Sequence, residues 1–123
     1  MESEDLRTHL RRRLSTALRD QDRPGTSALR SALAALDNAE AVQPAEDFRP
    51  EVSEHFAGGV AGLGAAEAQR RVLDAESQRA IVKAEIDGRL AAAETYDQHG
   101  QNARGAELRL GADVLLAVLD STA

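Results

Sequence analysis

Three histidines, His9, His55 and His99, are the side chains whose ordinary pKa lies nearest neutrality, and they are the natural first candidates for chemistry. No H-x-x-x-H or H-x-x-E spacing relates them to each other or to an acid. A metal needs convergent ligands, so solvated or structural roles are favoured: His9 on a first helix, His55 in a breaker-rich stretch, and His99 at a helix C-terminus whose dipole suits a cation. The chain has no cysteine, hence no thiol nucleophile, disulfide or thiolate-held metal, and its serines show no G-x-S-x-G elbow. No catalytic residue, metal or cofactor is expected. Gly58-Gly59-Val60-Ala61-Gly62-Leu63-Gly64 imitates a phosphate-binding loop, but no Lys-Ser or Lys-Thr follows and Glu67 would repel a phosphate. A flexible linker is the better reading. Arg12, Arg19 and Arg23 fall within about 40° of one another at ~100° per residue, forming a small basic ridge. The plain reading is a solvated face diluted by Asp5, Asp20 and Asp22; the sharper one is a strip for an RNA backbone. Lys83 with Asp87 and Glu85 with Arg89 are i,i+4 pairs of helix-supporting spacing.

Those residues need helices to hold them. Leu6, Leu10, Leu14 and Leu18 give one face of a helix over about 4–22, which Pro24-Gly25 ends. Thr26 or Ser27 can cap a second helix over 26–42, with Leu29, Ala32, Leu33, Leu36 and Ala39 inward. Residues 43–64 contain Pro44, Pro50 and four glycines, too many breakers for a regular element, although Phe48, Val52 and Phe56 allow a short helical turn. A short helix over 65–73 is followed by Asp74, which offers a carboxylate cap to a long helix over 75–98. Val82, Ile86, Leu90, Ala93 and Tyr96 mark its inner stripe, and Gly100 ends it. A last helix over 101–119 carries Leu108, Ala112, Leu115 and Leu119, with Gly105 and Gly111 each weakening it by roughly 1 kcal/mol. Its Leu110, Val114 and Val118 lie on a second face, which is either covered or offered to another chain.

The composition agrees with this. Ala numbers 24 and Leu 15, against 14 for Val, Ile and Thr together, so the apolar material forms helices rather than strands. The expected fold is all-α: two packed helical hairpins, four to five helices, one domain over 1–123, with a Pro/Gly-rich loop at 43–64. No apolar run approaches the ~20 residues of a membrane span, and the acidic Met1-Glu2-Ser3-Glu4-Asp5 is unlike a signal peptide, so a cytoplasmic location is expected. The net charge of −6 divides as +1 over 1–23, −4 over 24–60, −2 over 61–100 and −1 over 101–123. Autonomous strong binding of nucleic acid is disfavoured by that balance.

Leu29-Arg30-Ser31-Ala32-Leu33, with Asn38 and Glu40 following, resembles the second helix of the GatB/YqeY family. Ile81-Val82-Lys83-Ala84-Glu85-Ile86, with Arg89, Ala92, Ala93, Tyr96 and Gly100, resembles that family's long helix. The resemblance implies a helical module related to the tail of the B subunit of the tRNA-dependent amidotransferase, which amidates Glu-tRNA(Gln) or Asp-tRNA(Asn). It further implies a non-catalytic protein whose partners are tRNA, amidotransferase subunits or both. Arg12, Arg19, Arg23 and Arg30 are then the candidate RNA contacts. Arg30, Asn38, Glu40, Glu85, Arg89 and Tyr96 are the polar pattern, at least some of which are expected to pair between helices. The competing reading is a protein-interaction module that docks or self-associates through the terminal helix.

Overall fold

Asp5 begins the first helix: its carboxylate accepts a hydrogen bond from the Thr8 amide at 2.7 Å, satisfying one of the donors a helix start leaves open. The computed structural model describes residues 5–47 and 72–122, and among these the chain is all-α. The four helices are α1 (Leu6–Arg19), α2 (Arg23–Asp47), α3 (Ala75–Gln98) and α4 (Asn102–Ser121). Asp74 caps α3 as expected, accepting from the Ser77 amide at 2.7 Å.

One motif turns both hairpins. After α1 the Asp22 amide bonds to the Ala17 carbonyl and the Gln21 amide to that of Leu18. After α3 the Gln101 amide bonds to the Tyr96 carbonyl and the Gly100 amide to that of Asp97. Each is the paired closure that puts one residue in the left-handed region, Gly100 at φ 79 and Gln21 at φ 57. Glycine suits that conformation; glutamine adopts it at a cost.

The first turn corrects the sequence reading at three points. Helix α1 ends at Arg19 rather than near residue 22, so Arg23 belongs to α2. Pro24 and Gly25 start α2 instead of terminating α1, because a proline in a first turn lacks only an amide that has no helical partner there. Asp22, not Thr26 or Ser27, is the cap: its Oδ1 accepts from the Gly25 amide at 3.0 Å. Helix α2 also continues to Asp47, through Pro44 and past the expected end at 42, so residues 43–47 of the expected loop are helical. Residues 48–64 of that loop, with Phe48, Val52, Phe56, His55 and the glycine-rich run, lie outside the described residues, as does most of the 65–73 helix. Val72 and Leu73 at its end are not helical.

The helices pack as two hairpins, α1 on α2 and α3 on α4, with α2 and α4 also in broad contact and α1 and α3 scarcely touching. The middle pair therefore carries the widest buried faces. Leu10 of α1, Leu29 and Leu36 of α2, Val82 of α3, and Leu115 and Val118 of α4 are fully buried, each worth about 1.5–3 kcal/mol of transfer. Leu14, Leu33 and Val114 pack on this core from its margin. Leu18 and Leu90, expected inside, are 48% and 43% exposed. A stripe spaced at four rotates about 40° per step, so each has turned out of the covered arc. Val118 answers the question of the second face of α4 by being buried, whereas Leu110 is 55% exposed.

Gly105 and Gly111 have a packing role beyond their cost to helix propensity. A Cβ at Gly111 would lie 3.0 Å from the Ala28 Cβ and 3.1 Å from the Pro24 carbonyl, so the glycine lets α4 approach the start of α2. At Gly105 it would fall on the Asp97 carboxylate and 3.0 Å from the Ala93 carbonyl, where α4 meets α3.

Candidate functional site

The basic ridge does not lie on one helix. Arg12 and Arg19 are exposed on α1, and Arg19 reaches Thr16 Oγ1 at 3.5 Å, while Arg23 opens α2. Arg23 is joined by Arg30 instead, in a shallow opening of 640 Å³ at the turn end of the first hairpin, beside Leu18, Gln21 and Thr26. Asp22 is the one carboxylate lining it, and its Oδ1 is engaged by the Gly25 amide.

The expected polar cluster is divided among several places. Arg30 is exposed, because it lies two positions past the buried Ala28, about 200° around α2 and away from α3. Asn38 is exposed as well. Glu40 does pair between helices, but with Arg7 of α1 at 2.8 Å, and Arg7 also holds Asp37 at 2.6 Å. This half-buried fork ties α1 to α2, and sequence reasoning passed over Arg7 because it stands in an arginine-rich run without a distinguishing neighbour. Tyr96 lies under Arg104, whose guanidinium carbon is 5.8 Å from the ring centre, within the range of a cation–π contact.

Glu85 and Arg89 do meet other helices, though not each other. Lys83 and Asp87 form their i,i+4 pair at 3.2 Å. Glu85 instead accepts from Ser31 Oγ of α2 at 2.7 Å, and Arg89 Nη2 donates to Ser27 Oγ at 3.4 Å. Residues facing a neighbouring helix obtain partners there that cross-helix geometry selects, and sequence spacing cannot see them. Ser27 and Ser31, four apart on α2, are the unforeseen members of this contact.

Around them lies a cleft among α2, α3 and α4. Its deeper part, 360 Å³, is lined by Arg23, Pro24, Ser27, Arg89, Arg104, Glu107 and Leu108. Three guanidiniums from three helices thus share one cavity with one carboxylate. An adjoining recess of 350 Å³ shares Ser27, Arg89, Arg104 and Leu108 and adds Glu85 and Ser31. The arrangement suits binding of an anion.

The histidines stay apart. His9 is half-buried on α1, and His99 Nδ1 donates to the Thr95 carbonyl at 2.9 Å, closing the end of α3. Among the described residues no group of three or more acids and histidines is placed to hold a metal ion, and no helix is long and apolar enough to cross a membrane. Asp5 has a clear electrostatic shift: the Thr8 amide bonded to it holds its carboxyl below the ordinary value, and Arg11 and Arg7 add to that. Compared with protein-family models, curated proteins and solved structures, the chain has no match.

Proposed function

We propose that this protein is a non-catalytic helical module that lies against tRNA and assists tRNA-dependent amidation, the role implied by its resemblance to the GatB/YqeY family. The observation that carries this reading is the outward placement of Arg12, Arg19, Arg23 and Arg30 on the α1–α2 hairpin, whose opposite side is core. Phosphate contacts by Arg supply most sequence-independent affinity for nucleic acid, and four of them imply a logarithmic salt slope no steeper than about −4. The chain's charge of −6 opposes approach, so the isolated protein binds at micromolar strength or weaker and an amidotransferase subunit completes the surface. The test is a tRNA titration at ~50 and ~200 mM salt, with wild type and the triple variant Arg12→Ala, Arg19→Ala, Arg23→Ala. Weaker binding by the variant and a shallower slope are expected. Equal binding by both proteins places the contact elsewhere, and no binding at low salt, with or without the amidotransferase, rejects the reading.

A second reading, a protein-interaction module, rests on Leu110 and Leu116 of α4, which are 55% and 44% exposed. Sedimentation that shows a mass above 13.1 kDa, reduced to it by Leu110→Glu, favours this alternative.

A further inference from the structure

Arg89 is half-buried at the junction of α2, α3 and α4, and no carboxylate among the described residues pairs with it. Its spacing to Glu85 suits an ion pair, yet Glu85 is held by Ser31, and among the described residues the guanidinium's hydrogen-bond partner is a hydroxyl, Ser27 Oγ at 3.4 Å. Its Nε is buried and has no hydrogen-bond partner among the described residues. A buried donor left unmatched is costly, and an acceptor that reaches it removes the cost. Gly111 makes the room, since a Cβ there would lie 3.2 Å from Arg89 Nη1.

Two further guanidiniums face the same cavity. Arg104 is attached to Glu107 by a single long contact of 3.5 Å between exposed side chains, which a stronger acceptor can replace. Arg23, the first residue of α2, is exposed and lines the cavity from the opposite side. Three forked donors and one serine around 360 Å³ match a tetrahedral dianion better than a flat carboxylate, because acceptor oxygens are then available in several directions.

We propose that this cleft binds a phosphate dianion, with the half-buried Arg89 as the anchor and Arg104 and Arg23 closing over it. The site is separate from the tRNA reading, and the tests leave Arg23 unchanged because it borders both surfaces. The phosphate comes either from the free ion or from a small organic monoester, for which the adjoining recess beside Glu85 and Ser31 provides space and hydroxyl partners.

The experiment is a titration of the full chain with inorganic phosphate and with ribose 5-phosphate, at constant ionic strength set by chloride, read by NMR at backbone amides and at the arginine Nε–H signals. A saturable shift of the Arg89 Nε–H with either ligand, absent with chloride alone, is expected. Arg89→Lys and Arg104→Gln should each bind roughly tenfold more weakly, the loss of one charged hydrogen-bonding contact. Arg104 is exposed, so that variant reports binding even if Arg89→Lys disturbs packing. Glu107→Gln should bind more tightly, an outcome that damage to the fold does not produce. Tighter binding of ribose 5-phosphate assigns the organic monoester, and equal affinity assigns the free ion. Shifts that chloride reproduces, or affinities unchanged in both arginine variants, overturn the proposal.

Discussion

The two carboxylate caps, Asp5 and Asp74, do the same work at the starts of α1 and α3, and each is replaceable without touching the core. Asp74→Ala should cost about 1 kcal/mol in urea unfolding. Asp5 adds a pH dependence with a definite sign. Its carboxyl is lowered in the folded chain, so the stability it contributes is fully present above the ordinary carboxylate range and is lost as pH falls through the lowered value. The stability difference between wild type and Asp5→Asn should therefore shrink as the solution is made acid, and a difference that grows would contradict the cap. The left-handed residues give a paired prediction. Gly100→Ala should cost about 1 kcal/mol, and Gln21→Gly should gain roughly 0.5–1 kcal/mol, because the native chain already holds glutamine where glycine fits. Asp74 and Gly100 are legible in sequence because a cap and a terminator are short-range signals. Gln21 is not, since the residue carries no turn preference and Pro24-Gly25 draws attention to the wrong side of the turn.

At the scale of elements, what sequence shows is each helix's apolar arc, and what it hides is how closely two helices approach. Leu6, Leu10 and Ala17 of α1 and Val82, Ile86 and Ala93 of α3 are buried at the same spacing. Both sets return to within about 40° of their first member, while the fours that lead to Leu18 and Leu90 drift outward. The inner stripes were thus readable at Leu6 and Leu10 and at Val82, Ile86 and Ala93, and misread at Leu18 and Leu90. Glycine in α4 shows the other limit. Propensity alone predicts that Gly111→Ala stabilises the helix by roughly 1 kcal/mol, whereas contact with Ala28 and Pro24 predicts strain of about 1–3 kcal/mol. The close approach to backbone should win, giving a net loss of stability, and a rise in melting temperature would show that α2 and α4 can separate freely. Polar contacts between helices, Arg7 with Glu40 or Ser31 with Glu85, depend on the same approach, which is why Glu40 and Glu85 were nameable and their partners Arg7 and Ser31 were not.

For the whole molecule, the arrangement of α2 and α4 as a shared centre decides whether the two hairpins are one cooperative unit. Leu29 and Leu36 of α2 and Leu115 and Val118 of α4 are fully buried in a single cluster with Leu10 of α1 and Val82 of α3, so neither hairpin buries its apolar face alone. A domain of this size holds only about 5–15 kcal/mol of net stability. Leu36→Ala or Leu115→Ala, at about 2–5 kcal/mol each, should remove a large share of it, whereas Leu18→Ala, at an exposed site, should change it by less than ~0.5 kcal/mol. Cooperativity itself has a natural probe. The chain has one tyrosine and no tryptophan, so tyrosine fluorescence reports Tyr96, half-buried on α3, and hence the second hairpin alone, while far-ultraviolet circular dichroism reports all the helices. If the centre is shared, the two signals give the same urea midpoint and slope, and Leu10→Ala on α1, outside the tyrosine's hairpin, lowers both midpoints together. A fluorescence transition that stays in place while the dichroism transition moves would mean that the α3–α4 hairpin folds by itself. The cleft among α2, α3 and α4 would then lose its α2 wall, and with it Arg23 and Ser27, before the rest of the molecule unfolds.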